Sequence, residues 1–165
     1  MKINSSISKN SGFTFIEVIV SLLLLGLLSV FAGMGISMAI KGYSITRKNA
    51  EVTNKGQLAT TRLIKELKHI NSVPSGTSTT LNYTSYKQDI LNSHTVSWAG
   101  DVLLLDGDPL TDDVAGFDIG YYDTYNGIKQ VSWSVNSRII EITLSLVGAN
   151  NNIINFMIRV VPRNI

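Results

Sequence analysis

Cysteine is absent from this sequence of 165 residues, and only two histidines and three prolines occur. A disulfide framework is therefore excluded, so an exported domain would have to be held together by its hydrophobic core. Without cysteine, a zinc site would need both His69 and His94 together with carboxylates. Nucleophile-elbow, phosphate-loop and dinucleotide-binding motifs are also missing. These absences argue against an enzyme and against a bound metal or cofactor.

Charged residues are absent from the run of 23 residues from Val18 to Ile40. At about 1.5 Å per residue, a helix of this length covers the ~30 Å hydrocarbon core of a bilayer. Glu17 stands at the head of the run, and a charge at such a depth costs about 2.5–3.5 kcal/mol on insertion scales. The run therefore predicts a membrane helix with a carboxylate that needs a partner.

Two general explanations of this run leave features unexplained. A secretory signal peptide would have a shorter apolar region without Glu17 at its start, and the candidate cleavage site at residues 37–39 comes late. A plain single-pass anchor accounts for the hydropathy but gives Glu17 no role.

The residues from Lys9 to Glu17, Lys-Asn-Ser-Gly-Phe-Thr-Phe-Ile-Glu, resemble the class III signal of type IV pilins and type II secretion pseudopilins. The likeness combines a basic leader, a Gly-Phe junction, a spaced glutamate and an immediate apolar run. It implies that a prepilin peptidase removes the leader, residues 1–12, by cutting between Gly12 and Phe13. It also implies methylation of the new amino group on Phe13, and Glu17 matches the glutamate that the family uses in assembly.

Cleavage before Phe13 would create an α-amino group one helical turn from Glu17. Opposite charges attract strongly in a low dielectric, and each is costly to leave alone. Glu17 can pair with the amine of its own chain or with that of a neighbouring copy, and the sequence leaves both arrangements open. The second arrangement is head-to-tail and builds an open helical filament.

Glycine interrupts the membrane run at Gly26, Gly33 and Gly35. Small residues let helices approach one another closely, although membrane helices also tolerate glycine without a specific role. By the resemblance, Gly26 matches the glycine at which the pilin helix loosens on polymerisation. Met34 stands where the family commonly has proline, so no sharp kink is expected there.

Removing residues 1–12 takes away Lys2 and Lys9 and leaves 12 basic and 12 acidic side chains. With a formal charge of zero, the mature chain gives no electrostatic reason to expect nucleic-acid binding. The leader lysines favour the cytoplasm, so the residues after Ile40 are expected outside the inner membrane. The predicted location is a single pass through the inner (cytoplasmic) membrane, with incorporation into a pilus or pseudopilus implied by the resemblance.

Beyond Ile40, apolar residues recur at helical spacing while charged residues occupy the other faces. This pattern predicts an amphipathic helix over residues 41–71 that continues a membrane or filament-core helix over residues 13–40. Asn71 and the segment 74–76, Pro-Ser-Gly, are expected to end it. The apolar positions of the helix are Val52, Ala59, Leu63, Leu67 and Ile70.

Residues 72–165 are rich in short alternating patterns and turn signals, which predict a β-rich globular domain outside the cytoplasm. Asn126-Gly127 and the segment 148–152 are predicted turns. One long N-terminal helix followed by strands predicts an α+β fold, in which an antiparallel β-sheet domain packs on the helix. The predicted strands are 81–86, 95–98, 102–105, 114–122, 129–135, 139–146 and 153–161.

Five aspartates surround Gly107, and oxygen-rich loops of this kind can bind calcium. Their spacing does not match an EF-hand, so a solvated turn is favoured over a calcium site at Asp106, Asp108, Asp112 and Asp113; the fifth is Asp101. The aromatic residues of the domain are interpreted as sheet packing rather than as a platform for stacking bases. They are Trp98, Tyr121, Tyr122, Tyr125 and Trp133.

These features favour a minor pilin or pseudopilin, a structural subunit of a type IV pilus-like filament. The resemblance implies maturation by prepilin peptidase and assembly through the N-terminal helix with other pilins, on an inner-membrane assembly platform. The absence of cysteine adds to the preference for a minor subunit, because many major pilins close a C-terminal loop with a disulfide. The alternative is a membrane-stalked adhesin or DNA-receptor module of a pilus or competence system.

Overall fold

The structure, a computed structural model, describes residues 12–87 and 90–164. Lys2 and Lys9 of the predicted leader therefore lie outside the described residues. Contacts divide the chain into two compact units, one ending at Ser44 and the other beginning at Ile45. One helix, α1 (Phe15–Lys68), contributes residues to both units.

Among the described residues, eight strands follow α1, and all of them lie in the second unit. They are β1 (Ile70–Gly76), β2 (Thr80–Lys87), β3 (Ile90–Ala99), β4 (Val102–Leu105), β5 (Asp108–Thr111), β6 (Val114–Tyr122), β7 (Ile139–Val147) and β8 (Ile153–Val160). The first five form one antiparallel sheet in chain order, and the last three form a second antiparallel sheet in chain order. The α+β prediction is confirmed, with two sheets in place of one.

One face of α1 in the second unit is buried at every third or fourth residue, the spacing expected of a packed helix. Its buried residues are Val52, Gly56, Ala59, Thr60, Leu63 and Leu67. They share a single core with the inner faces of both sheets, including Leu81 of β2 and Ile142 of β7. Each fully buried leucine or isoleucine contributes about 1.5–3 kcal/mol, so this face holds the helix to the sheets.

The predicted end of the helix was wrong by a few residues. The helix stops at Lys68, and the segment expected to be a helix end and loop is the strand β1. Ile70 remains buried, but as the first residue of β1. Proline is tolerated in β1 because the strand lies at a sheet edge and its pairing with β2 is interrupted by two register shifts.

The strand predictions were mostly confirmed, and β4 and β6 have the predicted bounds. The predicted strand at 129–135 was wrong, because that segment contributes only one isolated bridge, between Gln130 and Tyr121. The strand β5 was not predicted, although Asp106-Gly107 is a strong two-residue hairpin signal. Both residues have positive φ, 57° and 87°, as a tight turn between β4 and β5 requires.

The predicted turn at 148–152 is present between β7 and β8. It contains a short 3-10 segment, Ala149–Asn151, in which Asn150 and Asn151 have φ of 54° and 58°. Asparagine adopts this left-handed conformation more readily than most residues. The backbone N–H of Ala149 donates to the side-chain oxygen of Asn49 at 2.9 Å, which ties the turn to α1.

Candidate functional site

The first candidate site is the beginning of α1, where the sequence predicted a processed N-terminus. Gly12, Phe13 and Thr14 precede the helix, which starts at Phe15. The carbonyl oxygen of Thr14 accepts the N–H groups of Glu17 and Val18 at 3.1 and 3.2 Å. The Thr14 hydroxyl oxygen also accepts the Glu17 N–H, at 3.4 Å. Thr14 therefore acts as the N-cap of α1.

Glu17 lies three residues after this cap, in the first turn of α1, and it is exposed. The spacing from Thr14 to Glu17 is that of a capping box, and a carboxylate in the first turn interacts favourably with the helix dipole. The structure thus brings Glu17 and the Gly12–Phe13 junction together at one helix end. Phe13 is 80% exposed, and the position of a Cβ on Gly12 has no atom within 4 Å. This junction is accessible from solvent.

The apolar run that follows is exposed along its whole length in the single chain. Among the described residues, α1 is the one helix with a stretch long and apolar enough to cross a membrane, and none of that stretch is buried. A continuous exposed apolar surface of this extent requires lipid or other apolar helices around it. The apolar surface of the first unit is therefore expected to be covered by lipid or by helices of other molecules.

The three glycines predicted for helix packing lie within this run, and the helix continues through each of them. A Cβ placed on Gly26, Gly33 or Gly35 would have no atom within 4 Å. No part of the described chain approaches them, so any close packing at these positions has to come from another molecule. Ser29 needs no such partner, because its hydroxyl donates to the carbonyl oxygen of Leu25 at 2.8 Å.

The aspartates near Gly107 face several different partners. Asp113 accepts from Lys48 Nζ at 3.0 Å and from Lys55 Nζ at 3.4 Å, and Asp112 accepts from Lys55 at 2.7 Å. The hydrogen bond from Lys48 lowers the pKa of Asp113, and the neighbouring Lys55 adds to the effect. In the described part of the chain, no group of three or more histidine and carboxylate side chains is arranged to hold a metal ion.

Asp106 is separate from that lysine network and joins the β4–β5 turn to β3. Its carboxylate lies 2.7 Å from Nδ1 of His94 and accepts the backbone N–H of Thr95 at 2.8 Å. Partial burial would raise the pKa of Asp106, but these two hydrogen bonds outweigh it and the pKa is lowered. Sequence reasoning missed this contact, because twelve residues separate the partners and only the hairpin brings them together.

Both histidines line one polar cleft of about 390 Å³ between α1 and the five-stranded sheet, together with Arg62, Glu66 and Asp106. The ring of His94 stacks on Tyr83 with 5.3 Å between ring centroids. The Tyr83 ring is fully buried, and burial raises the pKa of its hydroxyl. No local pattern predicted that the two histidines would share a cleft, since His69 lies in the turn between α1 and β1 and His94 lies on β3.

The aromatic residues predicted to pack in the sheets do so with one exception. Tyr121 and Tyr122 are buried, and Trp133 packs edge-on against Tyr121 at 5.7 Å between centroids. Tyr125 is 72% exposed, so the packing prediction was wrong for this residue. Its ring lies beside the Arg159 guanidinium, 5.4 Å from ring centroid to guanidinium carbon.

Comparison with protein families identifies the prokaryotic N-terminal methylation motif at residues 7–33. The match includes Gly12, Phe13 and Glu17 and extends into the exposed apolar run. Neither a curated protein nor a solved structure gives a significant match to the chain. The chain thus carries the prepilin-type methylation motif, which marks type IV pilins and pseudopilins.

Proposed function

We propose that this chain is a minor pilin or pseudopilin, a structural subunit that enters a type IV pilus-like filament through its N-terminal helix. It is a substrate of prepilin peptidase and has no catalytic role of its own. The second unit stands outside the cytoplasm, and the partners are other pilins and the inner-membrane assembly platform. The motif at residues 7–33 is the observation that carries this proposal.

The geometry of the N-terminal segment supports the same proposal. The Gly12–Phe13 junction lies outside the helix and is exposed, which suits cleavage by a peptidase. Cutting there leaves the Phe13 amine one residue before the Thr14 cap and one turn before Glu17. The new positive charge and the Glu17 carboxylate would then be close enough for a charge-assisted contact, within the chain or between neighbouring copies.

The exposed apolar run gives a reason for assembly beyond anchoring. In a bilayer, Glu17 must be neutralised, reach the interface or be paired. In a helical bundle, the carboxylate can meet the amine of a neighbour while Gly26, Gly33 and Gly35 allow the helices to approach closely. A bundle would therefore pair the Glu17 carboxylate and also cover the exposed helix surface at the three glycines.

Processing is tested by mass spectrometry of the protein purified from membranes that contain a prepilin peptidase. We expect the mature chain to begin at methylated Phe13. Gly12→Val should slow the cut, because the junction requires a residue without bulk, whereas Ser11→Ala should not. A mature chain that begins within residues 35–41 would show an ordinary signal peptide and contradict the proposal.

Assembly is tested by Glu17→Ala, with Glu51→Ala as the control on an exposed glutamate of the same helix. We expect Glu17→Ala to remain inserted and cut after Gly12 but to lose co-purification with partner pilins. Glu51→Ala should keep it. If Glu17→Ala joins its partners as well as the unchanged chain does, the docking role is wrong, and a stalked adhesin or receptor becomes the better explanation.

A further inference from the structure

The polar cleft between α1 and the five-stranded sheet contains several hydrogen-bonding groups that have no partner. Its volume is about 390 Å³, and α1 contributes Arg62, Lys65 and Glu66 to its wall. The sheet contributes Ser85 of β2 and His94 of β3. Because buried polar groups in proteins almost always have partners, the groups in this cleft that lack one indicate what it can bind.

The hydroxyl of Tyr83 is the most deeply buried of these groups. The residue is fully buried, and its hydroxyl has no hydrogen-bond partner in the part of the chain that the structure describes. Burial raises the pKa of this hydroxyl, the charges of Glu66 and Asp106 raise it further, and Arg62 opposes them. The Tyr83 ring also stacks on His94. The hydroxyl therefore lies beside the charged side chains of the cleft, with its donor unused.

Ser85 adds a second hydroxyl on the same face of β2. Side chains two residues apart on a strand lie on one face, and both Tyr83 and Ser85 are buried there. Ser85 lines the cleft, and its hydroxyl makes no hydrogen bond to any described residue. The buried side of the cleft thus carries two hydroxyl groups that can donate to a bound molecule.

The helix side of the cleft supplies positive charge. Lys65 lines the cleft and forms neither a hydrogen bond nor an ion pair with another described residue. Arg62 donates through Nε to Oε1 of Glu66 at 2.9 Å, which leaves its terminal N–H groups without a partner among the described residues. An ammonium and a guanidinium with free N–H groups therefore stand on the exposed side of the cleft.

The two carboxylates of the cleft are largely occupied by other groups. Oδ2 of Asp106 lies 2.7 Å from Nδ1 of His94, and Oδ1 accepts the N–H of Thr95 at 2.8 Å. Oε1 of Glu66 is taken by Arg62, which leaves Oε2 as its free oxygen. Unused donors therefore outnumber unused carboxylate oxygens. A molecule that pairs with them has to supply acceptor oxygens and, opposite the free ammonium, a negative charge.

We infer that this cleft is a binding site for a small anion that carries a phosphate or carboxylate group. The oxygens of the anion accept from the Tyr83 and Ser85 hydroxyls on the buried side and from Lys65 and Arg62 on the exposed side. Phosphate and carboxylate groups both present several acceptor oxygens to donors that converge in this way. The site lies in the second unit, so it goes beyond the proposed filament role of the N-terminal helix.

Binding is tested with the full chain in a non-ionic detergent at constant pH, with inorganic phosphate and acetate added separately as probes. Sodium chloride at the same ionic strength controls for screening. The sequence has only two histidines, so His69→Gln assigns the imidazole NMR signals of each. We expect a saturable shift of the His94 signals with phosphate or acetate and none with chloride. The probe with the lower Kd identifies which of the two groups the cleft prefers.

Two substitutions then test the donors. Tyr83→Phe removes only the buried hydroxyl, so it should weaken anion binding by about 2- to 10-fold. Without the anion, this variant should melt at the same temperature as the unchanged chain or higher, because an unpaired buried donor is gone. Lys65→Met should weaken binding by about tenfold. Lys68→Met, at an exposed lysine of the same helix outside the cleft, should leave binding unchanged.

Three outcomes would overturn the inference: no saturable shift with either probe, equal weakening by Lys65→Met and Lys68→Met, or undiminished binding in Tyr83→Phe. The last would show that water, and not the anion, pairs with the buried hydroxyl. Ser85→Ala replaces Tyr83→Phe in this comparison if the latter does not fold. Glu17→Ala, which tests the filament role, should leave anion binding unchanged, so the two proposals can fail separately. Loss of anion binding in Glu17→Ala would count against a site confined to the cleft.

Discussion

At the residue scale, Glu141 is a carboxylate with only 8% of its side chain exposed, held in the three-stranded sheet by two partners. The Tyr122 hydroxyl donates to one of its oxygens at 2.9 Å, and Nε of Arg159 donates to the other. Burial and the bond to Glu141 both raise the pKa of the Tyr122 hydroxyl. The Arg159 guanidinium also lies 4.8 Å over the Tyr122 ring, so three side chains from β6, β7 and β8 form one group.

A first prediction concerns this group. Arg159→Met should destabilise the chain, because it removes the cation from a carboxylate that is nearly buried. The double variant Arg159→Met/Glu141→Leu should recover much of that loss, since replacing both members of a buried pair is far less costly than removing one. Chemical denaturation of the full chain in detergent measures both. Strictly additive losses would show that the two side chains act independently.

At the element scale, α1 reaches the three-stranded sheet at Gly56. A Cβ on Gly56 would come within 2.2 Å of the ring of Phe156 on β8, so the close approach of helix and strand depends on this glycine. Alanine favours a helix over glycine by about 1 kcal/mol. Overpacking a fitted core costs about 1–3 kcal/mol, which is the larger effect here.

A second prediction follows from that comparison. Gly56→Ala should lower the free energy of unfolding by about 1 kcal/mol in the unchanged background, because the clash outweighs the gain in helix propensity. In a Phe156→Leu chain, where the ring is absent, the same change should become neutral or stabilising. Thermal melts of the unchanged chain, the two single variants and the double variant together form a double-mutant cycle. A stabilising Gly56→Ala in both backgrounds would mean that the Phe156 ring moves aside freely.

The turn between β5 and β6 is held to α1 by Lys48 and Lys55. Because Asp112 and Asp113 already pair with these lysines at 2.7 and 3.0 Å, a cation would have to displace them. The third prediction is therefore that calcium leaves the melting temperature of the full chain unchanged. The double variant Lys48→Met/Lys55→Met lacks the competing lysine charges. Any rise in melting temperature with calcium should therefore be larger in this variant than in the unchanged chain. A rise of many degrees in the unchanged chain would instead establish a calcium site.

At the scale of the whole molecule, two depressed carboxyl pKa values link the ion pairs to stability in acid. Asp113 beside Lys48, and Asp106 beside His94 and the Thr95 N–H, both titrate below their ordinary value of 3.8 in the folded chain. A group whose folded pKa is lowered stabilises the fold above its unfolded pKa. That stability is lost as the pH falls through the folded pKa.

The fourth prediction is that the chain loses stability as the pH falls below about 4, and that Asp113→Asn/Asp106→Asn reduces this dependence. Asparagine suits both positions because each has a positive φ, 58° and 57°. Since both side chains are more than a third exposed, each effect should be less than about 1 kcal/mol. Melting temperatures between pH 2 and 6 measure the slope. An unchanged slope in the double variant would assign the acid sensitivity to other carboxylates.

Local patterns were sufficient for much of this protein. The apolar run and the carboxylate at Glu17 are contained within a few turns of one helix, so their arrangement follows from spacing alone. The same is true of β4, β6 and the buried stripe of α1, because alternation and helical periodicity report which face is covered. The β4–β5 hairpin was not predicted, although Asp106-Gly107 is a two-residue turn signal, and Pro109 is unusual within a strand.

The sequence by itself therefore determined the membrane-length helix, the prepilin-type motif at its beginning and the α+β class, because each depends on neighbours in the chain. Only the tertiary structure decided that β1 continues directly from the helix, that His94 meets Asp106, and that Glu141 is enclosed by Tyr122 and Arg159. It also decided that β8 lies at an edge of the three-stranded sheet, since alternation along a strand does not indicate the order of strands in a sheet. These features join residues that are distant in sequence, and no local pattern encodes which of them become neighbours.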